Sequence, residues 1–160
     1  MSRRRGYSLM EVMVTVGLIA ILAALAIPKT REMMDRSRFN GAVRQGAGAL
    51  ETARGWAISR SNQGGVRAET AGLRVVSRTA YEIFVDPDDD TTNNNEVVAQ
   101  RIDLLEVSPE GNVHVLEAPG TMIRFRRDGG TTAQTLSFVD QRTGLRRAVR
   151  VSAAGFVALE

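Results

Sequence analysis

The stretch Arg3–Pro28, RRRGYSLMEVMVTVGLIAILAALAIP, decides the architecture of this 160-residue chain. Residues 12–27 within it carry no charge, and Thr15 is their only polar side chain. A membrane-spanning helix needs roughly 17 to 25 residues, so this run can cross a bilayer once residues 9–11 are included. The arginines that precede it indicate a cytoplasmic N-terminus, because basic flanking residues stay on the cytoplasmic side. The stretch therefore predicts one membrane helix with Glu11 in or near the bilayer.

Two ordinary explanations compete for this segment. A secretory signal peptide would use Ala24-Leu25-Ala26 as its cleavage site, but it does not explain the acidic Glu11 ahead of the apolar run. A plain N-terminal anchor explains the apolar run but not the order of residues 3–11. An acidic side chain costs about 3 kcal/mol at the centre of a membrane helix and less towards the interface, so Glu11 predicts a partner.

The order Arg5-Gly6-Tyr7-Ser8-Leu9-Met10-Glu11, followed by the apolar run and Pro28, resembles the class III leader of type IV pilins and pseudopilins. The resemblance implies that a prepilin peptidase cuts between Gly6 and Tyr7 and methylates the new amine of Tyr7. In that family the residue after the cut is usually Phe, so Tyr7 is a departure.

The resemblance also implies a role for Glu11, which would meet the N-terminal amine of a neighbouring subunit during assembly. A carboxylate and an ammonium in lipid are each costly alone, and their attraction is strong where the dielectric constant is low. Glu11 is therefore predicted to act in assembly and not in catalysis.

The apolar residues after Pro28 keep helical spacing, which predicts one long helix from about Tyr7 to Ser59. Its stripe consists of Phe39, Val43, Ala47, Leu50, Ala53 and Ala57. We expect a bend at Pro28, because proline removes a backbone hydrogen bond. The three glycines Gly41, Gly46 and Gly48 each weaken a helix by about 1 kcal/mol, so we expect close packing at these positions to compensate.

From Val66 onward the apolar period changes to two, and short strands are separated by turn sequences such as Pro119-Gly120. The pattern predicts an α+β protein in which the helix packs on an antiparallel sheet or small β-sandwich, as in the type IV pilin fold. The segments 83–86 and 122–155 are similar to the GspH/FimT branch of pilins and pseudopilins. The predicted organisation is a leader at 1–6, a transmembrane assembly helix at 7–28, the second half of the helix at 29–61 and a globular β domain at 62–160.

The acidic segment around residues 86–96 is the densest set of oxygen ligands in the chain. Asp86, Asp88 and Asp90 occupy the first, third and fifth places of a calcium-binding EF-hand loop. Thr91 replaces the glycine that the loop requires and Glu96 falls one place early, so a solvated loop is favoured over a calcium site. We predict no metal and no cofactor.

A basic patch on neighbouring strands is a second candidate site. Arg124, Arg126, Arg146 and Arg150 could contact DNA phosphates there. Some FimT-like pilins bind DNA through basic residues close to the C-terminus, whereas residues 155–159 here contain no arginine. We therefore favour arginines that simply face solvent.

The net charge of +3 at first suggests a nucleic-acid partner. Removal of the leader takes away three arginines and leaves 18 of the 21 basic residues against 18 acidic ones, so the excess charge belongs to the leader. The chain has one histidine, His114, and no hydrolase or zinc-protease motif, so we do not expect an enzyme.

The sequence therefore predicts a minor pilin subunit of a type IV pilus that primes assembly or lies at the tip. The alternative function is that of a minor pseudopilin of type II secretion, and a further alternative is a DNA-uptake pilin. A plain secreted β-domain is the least favoured possibility. The expected partners are other pilins or pseudopilins, the prepilin peptidase, the inner-membrane assembly platform and the lipid bilayer. The expected location is the bacterial inner membrane, with a single pass and a cytoplasmic N-terminus, followed by a periplasmic or extracellular filament.

Overall fold

A computed structural model describes residues 8–63, 65–88 and 95–160. Helix α1 covers Leu9–Ser59, and ten strands follow it in these residues. They are β1 (Asn62–Gln63), β2 (Val66–Arg67), β3 (Thr70–Ser77), β4 (Ala80–Asp86), β5 (Val97–Asp103), β6 (Val113–Val115), β7 (Met122–Phe125), β8 (Gln134–Asp140), β9 (Arg146–Val151) and β10 (Val157–Leu159). The predicted α+β class is confirmed. The chain divides into two compact units, residues 1–37 and 38–160.

The long helix begins and ends at sites that the local sequence explains. At the start, Ser8 Oγ accepts a hydrogen bond from the Met10 N–H at 3.3 Å, which caps the first turn. At the end, Arg60 takes a left-handed φ of 50°, and the Ser61 N–H reaches back to the Trp56 carbonyl at 3.1 Å. This bond closes a Schellman turn. Helix α1 continues through residue 28. The predicted bend at this residue stays a prediction.

In the second unit, residues 38–59 of α1 share one core with two four-stranded antiparallel sheets. The strand order is β10-β9-β8-β6 in one sheet and β5-β4-β3-β7 in the other. We call them the β9 sheet and the β4 sheet. The short β1–β2 hairpin forms a separate two-stranded sheet, and its Val66 packs against the core. Antiparallel pairing was predicted, and it is present in every strand pair described.

The predicted apolar stripe of the helix is the part of α1 that enters this core. Phe39, Val43 and Leu50 are buried, as are Ala53 and Ala57, while Ala47 packs against them partly buried. The sheets contribute further buried side chains, among them Leu73, Tyr81, Ile83, Phe125, Phe138 and Val149. Burial of each large side chain contributes about 1.5 to 3 kcal/mol, so the helix and the two sheets stabilise one another.

The three helix glycines differ in what surrounds them. A Cβ at Gly46 would lie 2.5 Å from Cζ of the buried Phe138, so only glycine lets the helix approach the sheet at this point. At Gly41 the nearest atom would be Val107 Cγ1 at 3.5 Å, an ordinary contact. Gly48 faces open space. The expectation of compensating close packing is therefore confirmed at Gly46 and wrong at Gly48.

Candidate functional site

The first candidate site is the exposed apolar half of α1. Its large apolar side chains stand exposed on every side of the helix: Leu9, Met10, Val12, Met13, Val14, Val16, Leu18, Ile19, Ile21, Leu22, Leu25 and Ile27. A helix that is apolar all round needs either a protein core or a membrane around it. Among the described residues, α1 is long and apolar enough to cross a membrane. Gly6 and Tyr7, the predicted processing and methylation sites, lie outside the described residues.

Glu11 lies in the first turn of this helix and is exposed. It stands three residues after the capping Ser8, and a carboxylate in this place is favourable because it faces the positive end of the helix dipole. Its side chain makes no ion pair with any residue that the structure describes. The Ser8…Glu11 spacing is a capping signal that the sequence analysis missed, and it gives Glu11 a local structural role beside its predicted assembly role.

The predicted basic patch does not form a single surface. Arg124 lies on β7 and Arg126 directly follows it, at the edge of the β4 sheet. Arg146 and Arg150 lie on β9, in the other sheet. The prediction that these arginines occupy neighbouring strands is therefore wrong, because β7 pairs with β3 and β9 pairs with β8 and β10.

Arg124 is also unsuited to DNA because its guanidinium is already bound. Nη1 donates to Asp86 and Nη2 donates to Glu96, and the side chain is only 20% exposed. The expectation that these arginines simply face solvent is therefore wrong at Arg124, and its two carboxylate partners leave it poorly placed to contact DNA. Arg126 and Arg150 are exposed, and each lies near a carboxylate, Asp128 at 3.7 Å and Glu160 at 3.2 Å.

The partners of Arg124 belong to a buried cluster that the sequence analysis did not predict. We call it the ionic cluster, and it consists of Arg74, Glu82, Asp86, Glu96 and Arg124. Arg74 Nε donates to Glu82 Oε1 at 2.7 Å and Nη1 donates to Glu96 Oε2 at 2.8 Å. Since Arg124 binds the other oxygen of Glu96, this carboxylate joins the two arginines. Three carboxylates and two guanidinium groups thus pair with one another.

The ionic cluster covers the face of the β4 sheet that points away from the core. Alternation along β4 sends Tyr81, Ile83 and Val85 into the core and Phe84 to the opposite face. The guanidinium carbons of Arg74 and Arg124 lie 5.8 and 5.3 Å, respectively, from the centre of the Phe84 ring, which is within range of a cation–π contact. A Cβ on Gly72 would lie 2.7 Å from Phe84 Cζ, so this glycine makes room for the ring. Strand β3 needs a glycine there for steric reasons.

The ionic cluster also decides the calcium prediction at Asp86. The carboxylate is completely buried and is bound by Arg124, a fixed cation that would repel a metal ion. Burial raises the pKa of the Asp86 carboxyl, while Arg124 acts in the opposite direction. Asp88 accepts a hydrogen bond from Asn95 Nδ2 at 2.7 Å, and Asp90 lies outside the described residues. Asp86 is therefore not available as a calcium ligand, and the favoured expectation of a solvated residue is wrong at this position because the side chain is buried. The residues described contain no group of three or more ligands suited to a metal.

A second, more exposed ion pair joins the end of α1 to the start of β3. Arg60 donates to Glu69, and Arg127 Nη1 lies 3.6 Å from the same carboxylate. The hydrogen bond from Arg60 lowers the pKa of Glu69 below its ordinary value. The pair holds the chain where the helix gives way to the sheets.

Comparison with known families and structures gives two family matches. The model described as "Type II transport protein GspH" matches residues 42–155, and the "Prokaryotic N-terminal methylation motif" matches residues 1–27. A search of curated proteins finds no match.

Two solved structures are similar to this chain. The solution structure of GspH from E. coli is 17% identical, with a TM-score of 0.53, over 81% of this chain and 92% of that one. The minor pseudopilin EpsH from the type 2 secretion system of Vibrio cholerae is 12% identical, with a TM-score of 0.49, over 77% of this chain and 96% of that one. At such identities the likeness concerns the fold alone.

Proposed function

Since this chain belongs to the GspH family, we propose that it is a minor pseudopilin of a type II secretion system. The observation that carries the proposal is the occurrence of both matches in one chain, with the methylation motif on the membrane helix and the GspH region on the globular unit. From the sequence alone, the pilus subunit ranks first and the secretion subunit second. The family match favours the reverse order.

The membrane helix supports a role as anchor and assembly element. Its exposed apolar side chains suit the lipid bilayer first and then the helices of neighbouring pilins or pseudopilins. We propose that the prepilin peptidase removes residues 1–6 at the cytoplasmic face of the inner membrane and methylates Tyr7. Glu11 then pairs with the methylated amine of an adjacent subunit as the chain enters a periplasmic filament from its assembly platform.

The same features support a structural subunit and not an enzyme. The two sets of ion pairs described above are the ionic cluster and the Arg60–Glu69 pair. Their charged side chains are already paired with one another. They stabilise the sheets, and neither of these two groups contains a free nucleophile or general base. The proposed partners are therefore other proteins of the filament, and no cofactor is required.

Mass spectrometry of the mature protein tests the processing step. We expect a chain that starts at methylated Tyr7 and stays in the membrane fraction. A chain that starts at Ile27 would instead identify the segment as a signal peptide, and the proposal would fail.

Deletion of the gene tests the choice between secretion and pilus. We expect loss of extracellular enzymes that use type II secretion, with surface pili unchanged. Expression of the intact chain should restore secretion, whereas expression of the Glu11→Ala variant should not. Loss of pili with normal secretion would show that the chain is a pilus subunit.

A further inference from the structure

A groove between α1 and the β9 sheet brings together two arginines that have no ion-pair partner in the described part of the chain. It has a volume of about 170 Å³ and is lined by Asn40, Val43, Arg44, Arg147 and Leu159. We call it the basic groove. A second groove of about 330 Å³ is lined in part by Ser137, Arg146 and Ala148, which the register of β8 and β9 places on the opposite face of the β9 sheet.

The positive charge of the basic groove is not neutralised within the described part of the chain. Arg44 and Arg147 form no ion pair there. Glu160, which follows Leu159, lies 3.2 Å from Arg150 instead. In the ionic cluster, by contrast, every guanidinium has a carboxylate. The basic groove therefore presents two uncompensated cations.

The register of β9 explains why Arg147 lies in the groove. Arg147 pairs with Phe138 and shares a strand face with Val149 and Val151, which enter the core. At the start of the strand this face reaches the rim of the core, beside the α1 residues Val43 and Arg44. The side chain therefore comes up between helix and sheet, where a partner can reach it.

An exposed leucine accompanies these arginines. Leu159 lines the same groove and is 51% exposed. Arginines around apolar side chains are typical of protein interfaces, in which arginine is enriched. A DNA duplex would gain little here, because leucines do not contact phosphates and Glu160 would repel them.

We propose that the basic groove docks an acidic segment with apolar side chains from another subunit of the filament. The inference rests on the proposed function, which supplies the second subunit. Carboxylates of that segment pair with Arg44 and Arg147, and its apolar side chains cover Leu159. The groove thereby adds a contact on the globular unit to the assembly contact of the membrane helix.

Binding of a defined peptide to the full chain in nanodiscs of zwitterionic lipid tests the groove directly. The probe is a short, fluorescent, Glu-rich peptide with two leucines, measured by anisotropy, and its control is the same peptide with Lys for Glu. We expect the acidic peptide to bind and the basic one not to bind. The Arg44→Gln/Arg147→Gln variant should weaken binding by about tenfold, because buried interface arginines are often hot spots.

Arg101→Gln is the matched control, because Arg101 is exposed on β5 in the other sheet and also forms no ion pair in the described structure. It should leave the affinity unchanged. Equal affinity of the double variant and the unmodified chain would overturn the proposal. Tighter binding of a DNA duplex, lost in the same double variant, would overturn it in favour of a nucleic-acid surface.

Secretion in cells separates this inference from the proposed function. We expect the Arg44→Gln/Arg147→Gln variant to be processed and to remain in the membrane, but to secrete less than the Arg101→Gln control. Normal secretion by the double variant would remove the docking role and leave the pseudopilin role intact. Normal secretion after deletion of the whole gene would remove the pseudopilin role itself.

Discussion

Replacement of Arg124 by methionine tests whether the ionic cluster holds the β4 sheet together. The change keeps much of the side-chain volume but leaves Asp86 completely buried without its cation. Removal of one partner from a buried ion pair costs about 3 to 5 kcal/mol. Since Arg124 is 20% exposed, some water can reach the site, and we expect a loss of about 3 kcal/mol in the free energy of unfolding.

The measurements are urea unfolding and thermal unfolding of a chain of residues 29–160, which keeps every residue of the core. Trp56 fluorescence monitors both. A loss of about 3 kcal/mol from a total of roughly 5 to 15 kcal/mol is large, and we expect the midpoint temperature to fall by about 10 °C. Arg126→Met is the control, because Arg126 is 62% exposed and lies 3.7 Å from its nearest carboxylate. We expect it to change stability by less than about 0.5 kcal/mol.

A second substitution distinguishes the buried charge from lost packing. In the Arg124→Met background, Asp86→Asn removes the unpaired negative charge at nearly the same volume. We expect it to recover more than half of the loss, because the main cost is the isolated carboxylate. Equal stability of the Arg124 and Arg126 variants would refute the reasoning, as would a double variant less stable than the single one.

Three further outcomes are expected. Gly48→Ala should raise the free energy of unfolding by about 0.5 to 1 kcal/mol, because alanine has the higher helix propensity. Gly46→Ala should lower it by about 1 to 2 kcal/mol, because the clash with the core outweighs that gain. Urea unfolding measures both changes, and a gain in stability at both positions would contradict the packing argument. Arg60→Gln should raise the pKa of Glu69 towards the ordinary value of a glutamate, as followed by NMR, because the hydrogen bond from Arg60 is the main cause of its lowering. Because the pKa of Glu69 is lowered in the folded state, the stabilisation by this pair is present at pH values above the ordinary pKa of glutamate. It is lost as the pH falls through the lowered pKa of the folded state. An unchanged titration of Glu69 in the variant would disprove the link. Glu11→Ala should leave cleavage after Gly6 intact but reduce incorporation into filaments, measured by mass spectrometry and by the filament fraction; normal incorporation would refute the pairing of Glu11.

The features that the sequence predicted correctly are those encoded over short distances. The apolar stripe of the helix repeats every three or four residues. The predicted end of the helix at Ser59 is also its observed end. The leader motif is likewise a local pattern, and the methylation-motif match covers the same residues. Local periodicity is enough in both cases, because neither depends on which strands pair.

The ionic cluster and the arginine surfaces depend on strand pairing, which local patterns do not encode. Arg124 is separated by 38 residues from Asp86 and by 28 from Glu96. They meet because β3 lies between β4 and β7, an order that is not the order of the chain. Arg124 and Arg146 therefore belong to different sheets, whereas Arg124 and Asp86, which are further apart in sequence, form a buried pair.

The position of Asp86 and Glu96 on one guanidinium has a consequence for how this protein can vary. The two residues stand at either side of positions 87–95, and Arg124 fixes both of them. When the two ends of a segment are already held, doubling its length costs only about 0.6 kcal/mol of closure entropy. Insertions at positions 89–94 should therefore be tolerated, which makes this segment the natural place for an epitope tag or a fluorophore that reports on the protein in its working assembly.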